Sequence, residues 1–399
     1  MWADPAFRRF FLGVATSLAG SAMAPVALAF AVLDSGGSAT DLGIVAACGV
    51  VAVVGCLLGG GVAADRLPRR VVLVGADVVC GVAQVVFAVL VLTGVAELWS
   101  MALLAAVRGA SAAFHQPALA ALPAELVPPD RLQRANSLLE LARSVPQVAG
   151  PALAGVLVAV GGAGFVLLVD AASYLVSAAF LAGVRTPGRG APTTSPWRDL
   201  REGWTEFRAR RWLWTTVLQL ALWNLLVVSP FLVLGPVVAE RDLGGAWAWG
   251  LVSAAQGAGA VLAGVALLRL RVRRPLLVTT AARLTRAPLL VALALPSPVP
   301  LVALAAFAVG SSSGLFFALW RTTTQTLVPP HALARVSAYE LFGAFALGPI
   351  GLALVGPVSE RLGTAPVLWT AAAWQVLSCC ALLLLPDVRG LRLNRPRPE

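Results

Sequence analysis

The chain has 399 residues, of which 59% are hydrophobic and 12% are charged, and its mean hydropathy is +0.84. Soluble domains are nearer half apolar and about a quarter charged, so this composition excludes a soluble globular protein and predicts an integral membrane protein. The net charge of +11 lies in short arginine clusters between apolar runs, which indicates an orientation signal and no nucleic-acid partner.

Twelve apolar runs follow one another along the chain, each long enough to span a bilayer. They predict an all-α membrane protein with twelve transmembrane helices. The five cysteines fall within these runs without CxxC spacing, so we expect neither a metal site nor a disulfide framework. The predicted spans lie at about 10–33, 42–63, 71–93, 98–121, 135–160, 163–184, 212–238, 244–268, 275–295, 299–321, 333–358 and 363–385.

The arginines fall on one side of this topology. With a cytoplasmic N-terminus, twenty-three arginines lie in cytoplasmic segments, and only Arg241 and Arg361 lie in outer loops. Cytoplasmic loops carry the excess of positive residues in membrane proteins. We therefore expect a multi-pass protein of the inner (plasma) membrane with both termini in the cytoplasm.

The chain divides into two similar halves. LVPPDRLQR at 126–134 and LVPPHALAR at 327–335 form an internal repeat, and residues 185–211 separate the halves. In that linker, apolar residues at helical spacing among arginines predict a basic amphipathic helix on the inner leaflet. We predict two pseudo-symmetric six-helix bundles, 1–184 and 212–399 with a cytoplasmic tail, that rock about a central site.

The segment GVAADRLPRR, 61–70, lies between the second and third spans. It resembles the signature loop of the major facilitator superfamily, G-x-x-x-D-R-x-G-R-R/K, with Pro68 in place of the second glycine. The resemblance implies a cytoplasmic latch in which the carboxylate of Asp65 meets the positive N-terminus of helix eleven, with Arg69 and Glu125 as plausible partners. The residues of this gating loop are Gly61, Asp65, Arg66, Arg69, Arg70 and Glu125.

Two further motifs are similar to those of exporters in the same superfamily. LAAVRGASAA, 104–113, resembles the fourth-helix motif, which implies a role of Arg108 in proton coupling; a fixed salt bridge is the alternative. GPALAG, 150–155, resembles the fifth-helix motif of drug/proton antiporters, with Gly150, Pro151 and Gly155 either sealing the pathway or simply packing closely. The run 115–157 is most similar to the branch of the enterobactin exporter and macrolide efflux proteins.

Charged residues within the predicted spans are expensive and need a partner or a function. Asp170 and Glu140 are the candidate proton carriers, although Glu140 is also placed to pair with Arg143 three residues on. His115 is expected to be a packed, hydrogen-bonded residue. The embedded acids, Asp77, Glu140, Asp170 and Glu340, equal in number the embedded cations Arg108, Arg143, Arg283 and Arg286, so an anionic substrate is permitted but not required.

A substrate cavity needs a few polar and aromatic groups among apolar ones. The candidates are Arg283, Arg286, Asn224, Trp223 and Gln256. No nucleotide motif is present in the sequence, so we expect a secondary transporter, not an enzyme, with no cofactor and no metal.

The predicted function is proton-coupled efflux of a small apolar or amphipathic molecule, such as a drug, macrolide or siderophore, by alternating access. The expected partners are that substrate, protons and the lipid bilayer, and we expect a monomer. The alternatives are a facilitator or importer of a small metabolite, or a transporter-like sensor that moves nothing.

Overall fold

The computed structural model of this chain confirms the all-α prediction, with no strand among the residues that it describes. The structure describes residues 4–184, 204–205, 207–267, 272, 274–295, 297–328, 336, 339–340, 342–344 and 346–390. It does so without the side chains of 57–66, 120–121, 124–125, 129–134, 136–137, 325–326 and 387–388.

Four helices come first: α1 (Pro5–Asp34), α2 (Ala39–Arg66), α3 (Arg69–Leu92) and α4 (Leu98–Ala121). Asp4 caps α1, since its carboxylate accepts a hydrogen bond from the backbone N–H of Ala6 at 2.8 Å. α1 is interrupted between Ser21 and Ala24. Pro25 explains the interruption, because it has no N–H to donate one turn back.

A 54-residue helical stretch, Pro129–Ala182, follows. It is broken at Gly162, whose φ of 77° and ψ of 165° lie outside the helical region. Glycine adopts such a positive φ without a steric penalty, whereas other residues do not. The stretch is therefore two helices, α5 (129–161) and α6 (163–182).

Six helices make up the remainder: α7 (Arg211–Leu243), α8 (Ala246–Leu267), α9 (Pro275–Ala294), α10 (Val299–Leu327), α11 (Gly348–Leu362) and α12 (Thr364–Leu384). Two of them are distorted near their middles. α7 widens into a π-helix at Asn224–Val228, and α9 tightens into a 3₁₀ turn at Arg283–Thr285. A proline follows each distortion, Pro230 and Pro288, and each removes one backbone hydrogen bond from the turn before it.

Ten helical segments of the described chain are long and apolar enough to cross a membrane. One of them, 138–182, contains the break at Gly162 and so provides two crossings. α4 is not among the ten, but its 24 residues also reach the length of a span. Ten candidate spans are therefore found among the described residues, and the count of twelve stays a prediction.

The contacts between residues divide the chain into two compact units. One consists of Met1–Thr193 with Ala239–Ala254, and the other of Thr194–Val238 with Ala255–Glu399. The bundle boundaries 1–184 and 212–399 stay a prediction. In the first unit, the core contains Phe7, Phe10, Leu73, Leu122 and Leu181, each fully buried. In the second, the core contains Leu213, Val217, Leu276, Trp320 and Val336.

The internal repeat extends to the way in which helices pack. A Cβ atom on Gly109 of α4 would fall on the carbonyl oxygen of Gly49 in α2, and one on Gly310 of α10 would fall on that of Gln256 in α8. Gly109 and Gly310 are 201 residues apart, which is also the offset between the two LVPP segments. Small residues permit such backbone approach in membranes, so the same pair of helices packs closely in both halves.

Candidate proton and substrate sites

The residues of the predicted gating loop lie at the end of α2 and the start of α3. The side chains of Gly61, Asp65, Arg66 and Glu125 lie outside the described ones, so the latch stays a prediction. Arg69 and Arg70 are half-buried in the first turn of α3. Pro68, which replaces the family's glycine, precedes that helix with a φ of −55° and a ψ of 124°, a conformation that proline favours.

Asp170 of α6 lies at the centre of a buried polar cluster in the first unit. Its side chain is fully buried, and its Oδ2 accepts a hydrogen bond from Gln84 Nε2 at 2.5 Å. Arg108 of α4 interacts electrostatically with Asp170 and forms a hydrogen bond with the side chain of Tyr174. The Tyr174 hydroxyl in turn accepts a hydrogen bond from Ser21 Oγ at 2.9 Å. Arg108 and Asp170, predicted separately, are thus brought together from α4 and α6.

The pattern of α3 and α6 explains this cluster. Asp170 and Tyr174 are four residues apart, so they project from the same face of α6. Asp77 and Gln84 are two turns apart and share the buried face of α3. Sequence reasoning did not include Tyr174 and Ser21, because a hydroxyl in an apolar run gives no signal until its neighbours are known.

Asp77 and His115 form a second polar contact in the same unit. His115 Nε2 lies 3.3 Å from Asp77 Oδ1. Their orientation is not that of a hydrogen bond, and both oxygens of the fully buried Asp77 lack a hydrogen-bond partner among the described residues. The expectation that His115 is packed is consistent with this position, but the expected hydrogen bond is not formed.

Glu140 does not join either group. Its side chain is exposed on α5, and no ion pair between described side chains connects it to Arg143. The predicted pairing of these two residues is therefore wrong in this structure. Glu340 accepts a hydrogen bond from Trp320 Nε1 in the second unit. Among the embedded acids, Asp170 interacts electrostatically with the embedded Arg108.

Arg283 and Arg286 lie together in the second unit, each only 6% exposed. Both guanidinium groups face the ring of Trp223, with Cζ at 4.8 Å from the ring centroid for Arg283 and at 5.0 Å for Arg286. Phe316 lies 5.1 Å from the first guanidinium, and Phe231 lies 5.4 Å from the second. A desolvated cation–π contact contributes about 2 kcal/mol, which is less than the several kcal/mol that burial of an unpaired ion costs.

Amide groups hold this aromatic and cationic cluster in place. Arg283 Nη1 donates to Gln219 Oε1 at 2.7 Å. Gln375 of α12 donates to the Arg283 carbonyl oxygen at 2.9 Å, and its own Oε1 accepts from Trp223 Nε1 at 2.8 Å. Gln375 was missed by sequence reasoning, since one glutamine in an apolar helix gives no sign of what it contacts.

The other cavity candidates make no described hydrogen bond with the side chains of this cluster. Asn224 donates to the carbonyl oxygens of Leu220 and Ala344, at 3.1 Å and 3.0 Å, so its amide connects α7 to the segment before α11. Gln256 is half-buried on α8, and its backbone contacts Gly310. The structure therefore brings together Trp223, Arg283 and Arg286 from the predicted set.

The fifth-helix motif makes close backbone contacts. A Cβ atom on Gly150 would come within 2.6 Å of the Ala22 Cβ, at the interruption of α1. Gly155 faces Gly250 of α8: a Cβ on Gly155 would lie 3.0 Å from the Gly250 Cα. Pro151 is half-buried between these two glycines, and its carbonyl oxygen lies against Gly250. Close packing of α5 is thus observed within the first unit.

The end of the predicted linker helix contacts protein. Phe207 is 7% exposed, and its ring lies 6.0 Å from that of Tyr339. Trp204 is 48% exposed and also contacts Tyr339, at 5.5 Å. Residues 185–203 of the linker lie outside the described residues. At Phe207 the apolar stripe expected on the inner leaflet instead packs in the second unit.

Buried charges within long apolar helices indicate functional sites, and the sequence profile of the Major Facilitator Superfamily matches residues 10–351. This chain belongs to that superfamily. The predicted resemblance is confirmed, and the protein is a multi-pass membrane transporter of small molecules and not an enzyme.

Two relatives match nearly the whole facilitator. The multidrug efflux pump Tap of Mycolicibacterium fortuitum is 26% identical over 392 residues, which cover 95% of each chain. Macrolide efflux protein A of Streptococcus pyogenes is 25% identical over 402 residues, which cover 97% of this chain and 98% of its own. Both are efflux proteins, as the resemblance implied.

The solved structures support the fold. The nucleoside transporter NupG has a TM-score of 0.71 and 15% identity, and the match covers 94% of this chain and 98% of NupG. At this identity the likeness concerns the fold alone, and it agrees with the predicted architecture of a major facilitator.

Proposed function

We propose that this facilitator exports small apolar or amphipathic molecules across the cell membrane in exchange for protons, by alternating access. Export is supported by full-length similarity to a multidrug pump and a macrolide efflux protein. Proton exchange is supported by one observation, the electrostatic interaction of the buried Asp170 with Arg108.

The coupling follows from competition for one carboxylate. Asp170 Oδ2 is occupied by Gln84, whereas Oδ1 is buried and has no hydrogen-bond partner among the described residues. A proton on Oδ1 would neutralise the carboxylate and release its attraction for Arg108. Loss of the proton would restore that attraction. Asp170 thus gives the protein two charge states that differ in how α4 and α6 attract each other, which is what a proton-driven switch needs.

The remaining expectations belong to the same proposal. The gating loop, with Asp65 and Glu125, would close the cytoplasmic side, while the contact of Gly155 with Gly250 would seal α5 against α8. The transporter would work as a monomer in the inner membrane with both termini in the cytoplasm. Glu140, which is exposed on α5, stays the second candidate proton carrier.

Everted membrane vesicles with an imposed pH gradient test this function. We expect uptake of a dye or macrolide only when the vesicle interior is acidic, and loss of that dependence in Asp170→Asn. Asp242→Asn, at an exposed acid that pairs with Arg241, is the matched control and is expected to transport normally. Uptake that is independent of the pH gradient would indicate a facilitator. Binding of a ligand without any flux would indicate a sensor.

A further inference from the structure

Two guanidinium groups share one aromatic platform inside the second unit. Arg283 and Arg286 both contact the Trp223 ring within 5.0 Å, and both side chains are buried. The two positive charges also repel each other. Trp223 and Gln219 do not satisfy all the polar atoms of these two side chains. Arg283 Nη1 donates to Gln219, but Arg283 Nη2 is buried and has no hydrogen-bond partner among the described residues.

No carboxylate balances these two cations among the described side chains. Neither arginine forms an ion pair with a described side chain, and the charge of Arg283 acts unfavourably on that of Arg286. Glu340, the embedded acid of the same unit, is engaged by Trp320. Asp77 and Asp170 belong to the cluster of the first unit. The equal numbers of acids and cations in the sequence therefore do not neutralise this site.

The helices are distorted where the cluster lies. The π-helical segment of α7 begins at Asn224, directly after Trp223, and the 3₁₀ turn of α9 begins at Arg283 and ends just before Arg286. Such interruptions within helices are frequent at functional sites and hinges. This is a second observation, independent of charge, that separates the cluster from ordinary helix packing.

We infer that Arg283 and Arg286 bind an anionic group, a carboxylate or phosphate, on an amphipathic ligand whose apolar part packs against aromatic side chains such as Trp223. The planar guanidinium fork matches the oxygens of both anions. The inference rests on the proposed function, since it assigns the substrate class of that exporter. It predicts that the site prefers anionic amphiphiles over neutral or cationic ones of the same size.

A set of matched aromatic probes tests the inference on the purified full-length protein in neutral detergent. The probes are 1-naphthylacetate, its neutral amide and the corresponding naphthylethylammonium cation, and their dissociation constants are measured by calorimetry. We expect the carboxylate to bind about tenfold more tightly than the amide. Arg283→Gln and Arg286→Gln should remove that preference, while Arg361→Gln, at an exposed arginine, should retain it.

Equal binding of the three probes to the wild-type protein would overturn the inference, as would a preference that survives both glutamine variants. If a variant does not fold, sulfate competition on the wild-type protein decides instead, since an anion site requires that sulfate displace naphthylacetate. An anionic lipid offers the same chemistry, so the titration is repeated with added phosphatidylglycerol or phosphatidylcholine. If phosphatidylglycerol stabilises the protein and naphthylacetate does not bind, the site binds a lipid headgroup, and the proposal of a soluble anionic ligand is overturned.

The outcome is separate from that of the export assay. If the protein prefers anions but shows no gradient-driven uptake, the anion site is supported and the proposed export function is contradicted. If uptake depends on the gradient but the protein has no preference for anions, export is supported and the anion site is contradicted.

Discussion

His115 Nε2 of α4 lies 3.3 Å from Oδ1 of Asp77 in α3, although no hydrogen bond joins the two side chains. Asp77 is fully buried and its carboxylate has no other described partner. The imidazole therefore lies beside a buried carboxylate that has no hydrogen-bond partner among the described residues.

This contact predicts an interaction energy between the two positions. His115→Gln should destabilise the wild-type protein, because the buried carboxylate loses the imidazole beside it, but should have little effect in an Asp77→Asn background. We expect the double-mutant cycle to give a coupling of about 1 kcal/mol, measured from thermal unfolding in detergent. Strictly additive effects would mean that the two side chains are close without interacting.

Tyr174 is predicted to support proton coupling through Arg108. Tyr174→Phe removes the hydroxyl that contacts Arg108 and accepts from Ser21. A lost hydrogen bond to a charged group costs about 1.5–3 kcal/mol, so we expect gradient-driven uptake to fall roughly tenfold or more.

Ser21→Ala provides the matched comparison, since Ser21 contacts Tyr174 but has no described contact with Arg108. Its effect on vesicle uptake should be clearly smaller than that of Tyr174→Phe. Equal effects of the two changes would show that the hydroxyl chain as a whole, and not the contact with Arg108, matters.

The close approach of α5 and α8 predicts opposite results at two glycines of α8. A Cβ on Gly250 would come within 2.6 Å of the Pro151 carbonyl oxygen, whereas one on Gly264 meets nothing within 4 Å. Gly250→Ala should lower the stability by about 1–3 kcal/mol. Gly264→Ala should raise it by about 0.5–1 kcal/mol, because alanine favours a helix. Thermal unfolding of the two variants checks both signs, and a neutral Gly250→Ala would contradict the packing.

Phe207 distinguishes a linker that packs on protein from one that lies on lipid. Phe207→Ala should destabilise the detergent-purified protein by about 3–5 kcal/mol, since the ring is buried. Trp204→Ala should cost about 1–2 kcal/mol, since half of that ring is exposed. If both variants are as stable as the wild-type protein in detergent and lose stability only in anionic vesicles, the linker is bound by the membrane and not by protein.

Much of the fold was predictable because it depends on local features of the sequence. Apolar runs gave the positions of the helices, and Pro25 marks the interruption of α1. The repeated LVPP segments indicated two similar halves before any packing was known.

The candidate sites were only partly predictable, because a position within an apolar run gives the depth of a residue and not the helix that it faces. Glu140 and Asp170 were equivalent candidates by sequence, yet one is exposed and the other fully buried. The equal numbers of embedded acids and cations did not predict which residues pair, for the same reason. Arg283 and Arg286 contact Trp223, about sixty positions earlier in the chain, and form no ion pair with a described acid.

The matched glycines Gly109 and Gly310 have a consequence for how the two halves specialise. Because backbone contacts without side chains hold these helix pairs together, the polar residues nearby carry little of the packing. The two halves share these backbone contacts and yet differ in their buried charges, with Asp170 in one and Arg283 in the other. Such a duplicated architecture permits one half to bind protons and the other to bind the substrate, while the backbone contacts between the helices stay the same.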